Sequence, residues 1–140
     1  AYGVGWMAGG NDIIALKHQW AFLRDAGDID GMVSLYAPDA RTELGPLGQA
    51  VGKDAIRANL ERMLAGYIPG SRMHELSNPV VHVDGDHASA QWYLRVTAID
   101  SANSQIRTNS LGRYHDDLVR LDEGWRFSVV RLTTLWRYAG

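Results

Sequence analysis

The sequence predicts an α+β domain: three N-terminal helices packed in the concavity of a curved, mostly antiparallel sheet. Three observations point there. Apolar residues recur at helical spacing as far as about Ala65, and the stretch "HASAQWYLRVTAID" (87–100) then alternates with a period of two. Between them, Asp84-Gly85-Asp86 is a strong hairpin signal. A curved sheet wrapped around a long helix is the simplest way to bury Trp20 together with the even-numbered face of that strand.

Each element has its own local reason. The first ten residues, "AYGVGWMAGG", hold four glycines and no basic stretch, so they read as a flexible arm (1–10) rather than a signal peptide. The single domain is expected over 11–140. Asn11 or Asp12 is a good cap for a first helix whose stripe is Ile13, Leu16, Trp20 and Leu23. Gly27 ends it, and Asp28 caps a short second helix carrying Ile29, Met32, Val33 and Tyr36, which Pro38 stops. "ARTEL" (40–44) reads as a short strand and "GPLGQAVG" (45–52) as a loop. A third helix is expected from Lys53 to about Ala65, with Ile56, Leu60 and Met63–Leu64 buried.

The remainder is strand-like: "RMHELSN", "PVVHV", the long alternating stretch, "TNSLGRYHDDLVRL", the turn "DEG", and "WRFSVVRLTTLWRY". Ala88, Ala90, Trp92, Leu94, Val96 and Ala98 share one face of the alternating strand. Ser89, Gln91, Tyr93, Arg95 and Thr97 share the other. That broad polar face suits a sheet-to-sheet contact in a homodimer or other homo-oligomer.

Composition narrows the function. A chain of 140 residues with 46% hydrophobic and 21% charged residues has the make-up of one globular domain. A formal net charge of −2 provides no electrostatic footprint for nucleic acid or an anionic membrane. No apolar run approaches the roughly 20 residues of a bilayer span. Without cysteine there is no disulfide framework, thiolate nucleophile or cysteine–zinc site, and a cytoplasmic address is expected. His82 and His87 flank the hairpin turn, but no HExxH or comparable spacing occurs, so no metal site is expected. Neither a P-loop, a GxGxxG after a strand nor a GxSxG elbow is present, and no cofactor is expected.

One ordered set of short motifs carries a resemblance. W-x-x-x-x-D-x-x-D-x-D (Trp20, Asp25, Asp28, Asp30) is followed by "APDA" (37–40), G-K-x-A-I (52–56) and H-x-x-x-N (His74, Asn78). G-R-Y-x-D…D-E-G-W-R-F (112–127) completes the series. Over roughly residues 12 to 137 the chain resembles the SnoaL-like group, whose fold is the cone-shaped α+β barrel of nuclear transport factor two. Among enzymes of that fold it is most similar to scytalone dehydratase and γ-hexachlorocyclohexane dehydrochlorinase. There a helix aspartate orients a strand histidine, which removes a proton from a buried hydrophobic substrate. The resemblance places Asp25 and His74 on those two positions. Other positions depart. The dehydratase has tyrosines at the positions of Arg24 and Leu44 and a second histidine at that of Ala98. The dehydrochlorinase has a lysine at the position of Trp20 and an arginine near Val130.

The chemistry of such a pair is well defined. A neutral imidazole is a competent base near neutral pH, and a carboxylate on one ring nitrogen fixes its tautomer and stabilises the imidazolium. Asp25 alone could instead pair with Arg24, Arg41 or Arg95, because its place in the last helical turn opposes the helix dipole. On "GRYHDDL", alternation puts Tyr114 and Asp116 on one face. Tyr114 could polarise a carbonyl or hydroxyl and Asp116 could be a second acid or base, or each could be structural. Trp20, Trp92 and Leu94 are expected as substrate-binding wall or core. The leading expectation is a cofactor-independent, dehydratase-like lyase or isomerase acting on a small apolar cyclic or aromatic molecule. The alternatives are a non-catalytic binding or assembly module, an epoxide hydrolase built on Asp25, Arg95 and Asp116, and the structural small subunit of a ring-hydroxylating oxygenase.

Overall fold

A computed structural model describes residues 2–100 and 102–139, apart from the side chains of residues 2–8. Helix α1 (Tyr2–Ala26) is followed by α2 (Ile29–Ser34), β1 (Tyr36–Glu43), a 3₁₀ turn (Gly45–Leu47), β2 (Gln49–Val51) and α3 (Lys53–Met63). Four long strands complete the chain: β3 (Arg72–Asp84), β4 (His87–Asp100), β5 (Gln105–Leu121) and β6 (Gly124–Arg137). They form one six-stranded curved sheet in the order β2-β1-β6-β5-β4-β3, in which only β1 and β6 run parallel. The expected α+β architecture is therefore present, with the helices in the concavity of an open, cone-like sheet.

The even face of β4 is the inner one. Ala88, Ala90, Trp92, Leu94, Val96 and Ala98 are all buried, while the residues between them are exposed or half-buried. Hydrophobic burial along such a face contributes roughly 25 cal/mol per Å² of apolar surface, so a one-residue slip of register would expose the whole set. Asp84-Gly85-Asp86 forms the β3–β4 turn, with Gly85 at φ +60°. The two strand-like pieces on either side of Asn78 are one strand. A bulge between Ser77 and Val80 absorbs the left-handed Asn78 (φ +57°) and Pro79, which lacks an N–H to give to the ladder.

The N-terminal region differs from expectation in three respects. Helix α1 begins at Tyr2, so residues 2–10 are helical rather than a flexible arm, and Asn11 and Asp12 lie inside the helix instead of capping it. Gly10 is buried, and a Cβ on Gly9 would meet Val83 of β3 at 3.5 Å. Packing of this segment against β3 outweighs the low helix propensity of its glycines. Second, the buried stripe of α1 is Ile13, Lys17, Trp20, Ala21 and Arg24, with Leu16 and Leu23 only partly buried. The stripe is turned by about one residue because it includes two cations. Third, β1 begins at Tyr36, ahead of Pro38, and Gln49–Val51 forms a strand rather than a loop. Pro38 is tolerated because the β1–β6 pairing is irregular between Tyr36 and Arg41.

The end of α1 is closed by a Schellman arrangement. Gly27, at φ +72°, donates its N–H to the Arg24 carbonyl, and Asp28 donates to the Leu23 carbonyl. Asp28 then caps α2 by accepting the Gly31 N–H at 2.8 Å. This tight passage fixes the last turn of α1, and with it Arg24 and Asp25, against the first residues of β3.

Candidate functional site

Asp25 lies at the end of α1, where the helix dipole disfavours a negative charge. Its compensation comes from β3. As the last strand in the sheet order, β3 has one edge unpaired, and the outward backbone N–H of His74 has no strand to receive it. Asp25 takes that role: the His74 N–H donates to both carboxylate oxygens at 3.1 Å. The His74 ring turns the same way, with Nδ1 2.7 Å from Asp25 Oδ1. Tyr67 donates its hydroxyl to the Asp25 backbone carbonyl at 2.7 Å, satisfying a helix-end acceptor. The two residues singled out in the sequence are thus in direct contact.

With the carboxylate accepting, Nδ1 carries the proton of the neutral ring and Nε2 carries the lone pair. His74 lines a cavity of about 300 Å³ between the concave sheet and the three helices. Its side chain is 9% exposed. Burial lowers its pKa below the ordinary value of 6.5; the Asp25 hydrogen bond opposes this, and the Arg24 charge adds to it. The ring is therefore neutral at neutral pH and able to accept a proton.

Trp20, Leu94 and Tyr114 also line the cavity. Tyr114 is 4% exposed, packs edge-on against Trp20 with ring centroids 5.3 Å apart, and is kept protonated by burial, which raises its pKa. Its hydroxyl is consequently a hydrogen-bond donor at any ordinary pH.

Two expected site residues are corrected. Asp116 does not line the cavity and is not free to serve as a second acid or base. It is wholly buried, two strand residues beyond Tyr114, with Lys17 Nζ 3.0 Å from Oδ2 and the Trp92 indole N–H donating to the same oxygen at 3.1 Å. Trp92, expected as substrate-binding wall or core, is core and does not line the cavity: it is buried, with its indole committed to that carboxylate. Burial pushes the Lys17 pKa down and the Asp116 pKa up, and their mutual attraction opposes both shifts. The aspartate–arginine–aspartate set is not assembled either. Arg95 is on the outer face, exposed and paired with Glu75 at 3.3 Å, whereas Asp116 is buried on the inner face.

Other lining residues had gone unmarked in the sequence. Tyr36 accepts the Trp20 indole N–H at 3.1 Å, and burial raises its pKa. Arg24, Arg72 and Arg137 bring three guanidinium groups to the cavity, and Thr42 and Asn59 bring buried polar groups. The wall is mixed, with apolar contributions from Met32, Ile56, Leu60 and Val96. Arg24 could have been noticed from the sequence. It stands seven residues, two turns, after Lys17 on the face that also carries Ile13 and Trp20. Among the described residues, no three metal-ligating side chains cluster, and no helix is long and apolar enough to cross a membrane.

Comparison with known proteins agrees with this geometry. A family model described as a SnoaL-like domain matches residues 10–131. No curated protein matches the sequence. Among solved structures, an NTF2-like protein with a cystatin-like fold from Novosphingobium aromaticivorans superposes at a TM-score of 0.83 with 22% identity, covering 97% of this chain and 88% of its own. A protein of that organism provisionally designated an aromatic ring hydroxylase gives 0.80 and 25%, covering 93% and 91%. A third from the same organism, provisionally designated a scytalone dehydratase, gives 0.79 and 20%, covering 93% and 86%. A cone of sheet around three helices, matched over most of its length by one family's sequence pattern, identifies the chain as a member of the SnoaL-like domain family, with the NTF2-like fold.

Proposed function

We propose that the protein is a cofactor-independent lyase or isomerase in which His74 is the general base, Asp25 its orienting partner and Tyr114 the donor to a substrate oxygen. The observation that supports this reading is the 2.7 Å contact of His74 Nδ1 with Asp25, which leaves Nε2 free at a cavity of about 300 Å³. In the reaction, a C–H bond next to a carbonyl breaks. The proton goes to Nε2 and the electron pair goes into an enolate, whose oxygen accepts the Tyr114 hydroxyl. The imidazolium then returns the proton to another carbon, completing an isomerisation. Alternatively, it gives the proton to a departing hydroxyl, and water leaves. Such a base supplies about 10²–10⁴ in rate.

The test is hydrogen–deuterium exchange at carbon, followed by NMR in deuterium oxide, over a panel of cyclic and aryl ketones. The wild-type protein should accelerate exchange of at least one member, and His74→Ala should lose about 10²-fold or more of that acceleration. Undiminished exchange in the variant would reject the base assignment.

A second reading is a binding module that uses the same cavity without turnover. The observation in its favour is that Leu44 and Ala98, at positions where the dehydratase carries a tyrosine and a histidine, are buried apolar residues here. Ligand-induced stabilisation with no exchange of any bound ketone would select it.

Assembly as a homodimer belongs to the same proposal. The outer sheet face exposes Tyr93 (50%), Leu135 (53%) and Trp136 (47%), an unusual concentration of large apolar side chains. Light scattering at micromolar concentration should give twice the chain mass, and a monomer would reject pairing.

A further inference from the structure

Charge is distributed unevenly among the arginines. Six of the nine arginines outside the cavity (Arg41, Arg57, Arg95, Arg107, Arg120 and Arg131) are ion-paired with a carboxylate, while Arg62, Arg113 and Arg126 make no salt bridge among the described residues. The three that line the cavity (Arg24, Arg72 and Arg137) make no salt bridge among the described residues, and no aspartate or glutamate lines the cavity with them. Arg72 and Arg137 lie at the mouth and are exposed. Arg24 is different. It is 6% exposed, stacks over the Tyr67 ring at 5.3 Å, and its Nη1 has no hydrogen-bond partner. Thr42 Oγ1, also buried at the cavity, is likewise without a partner.

A buried guanidinium with an unused N–H is costly unless something occupies it. The neighbouring Asp25 makes no hydrogen bond or salt bridge to it among the described residues; its oxygens accept from the His74 ring and backbone. The guanidinium fork is matched in shape and charge by a carboxylate, which it binds through two parallel hydrogen bonds. The exposed pair at the mouth adds a field that draws anions inward.

We propose that the cavity takes an anionic guest, a cyclic or aromatic carboxylate, with the carboxylate on Arg24 and the ring between Trp20 and His74. The placement of the ring beside His74 rests on the reading of His74 as a base; the anion preference does not. The arrangement also bears on reactivity. Burial is the main reason that His74 is weakly basic, and Arg24 adds to it against the opposing hydrogen bond of Asp25. A carboxylate on Arg24 offsets that one contribution. Sequence reading alone expected a small apolar molecule; the unpaired arginines add an acidic group to it.

The experiment is calorimetric titration of the wild-type protein at pH 7 with 2-naphthoate and with 2-naphthamide, which has the same ring system and a neutral head group. The naphthoate should bind at least about tenfold more tightly, and its affinity should fall as salt is raised. Arg24→Met should abolish the preference. Arg24→Lys, which keeps the charge and loses the fork, should retain part of it and covers the case in which the methionine variant does not fold. His74→Ala should leave the preference intact while removing carbon–hydrogen exchange, so failure of the base assignment and failure of the anion assignment are separable. A naphthoate that binds no more tightly than the naphthamide, or a preference that survives in Arg24→Met, overturns the proposal.

Discussion

Helix α1 carries two acid–base contacts, one at Lys17 and one at Asp25, and they are built to opposite ends. Lys17 meets Asp116 at 3.0 Å with both side chains wholly buried, and its ammonium also sits 3.7 Å from the Tyr114 ring centroid and 4.2 Å from that of Trp20. The pair is closed off by aromatic faces, and no substrate can reach it. Asp25 meets His74 at 2.7 Å, but there the histidine has a second nitrogen and a cavity in front of it. A charge pair enclosed on all sides organises the core, whereas one with an open valence can do chemistry. Both kinds arise on one helix, two turns apart: Lys17 is enclosed by aromatic rings, and Asp25 stands at the edge strand whose His74 lines the cavity.

The largest expected effect that would sharpen this contrast is kinetic. His74→Ala should lose about 10²-fold or more in carbon–hydrogen exchange and only about 1 kcal/mol in stability by urea unfolding. The backbone N–H of residue 74 still reaches Asp25 in that variant. Next comes the reverse case. Lys17→Met strands Asp116 in the core and should cost about 3–5 kcal/mol, whereas Lys17→Met combined with Asp116→Leu should recover most of that loss. If the single variant unfolds at the wild-type urea midpoint, the pair is not the organising contact described here.

The smallest effect is on pH dependence. His74 has a folded pKa below its unfolded value, so between the two the unfolded chain binds more protons. The associated stability is complete above an unfolded value of about 6.5 and is lost as pH falls toward the folded value, at no more than about 1.4 kcal/mol per pH unit. Subtracting the acid profile of His74→Ala from that of the wild type should show this slope. Identical profiles would contradict the direction of the shift.

The parts of the fold that were legible in the sequence are those in which local chemistry and tertiary burial agree. Alternation marked the inner face of β4 because each even residue there is apolar and buried, and Asp84-Gly85-Asp86 supplied a turn of the right hand. Where function or packing overrides local preference, the pattern misleads. The stripe of α1 reads as Ile13, Leu16, Trp20 and Leu23 because lysine and arginine count as solvent-facing. In the folded protein Lys17 and Arg24 occupy that face, and the two leucines are displaced to its edge. The Gly-rich start of α1 has weak helix propensity and gains its helical form by lying against β3. The proximity of Asp25 and His74 came from resemblance and not from spacing, since 49 residues separate them. Asp116 shares a strand face with Tyr114, yet alternation specifies the face and not the depth, and depth decides whether a carboxylate meets the cavity or Lys17.

The edge of the sheet gives Asp25 a further consequence. One carboxylate grips both the amide and the imidazole of a single residue, so the aim of the ring is tied to the backbone that carries it. Swinging the imidazole aside would forfeit only one of the three contacts, so the border of the sheet keeps its anchor even when the ring loses its own.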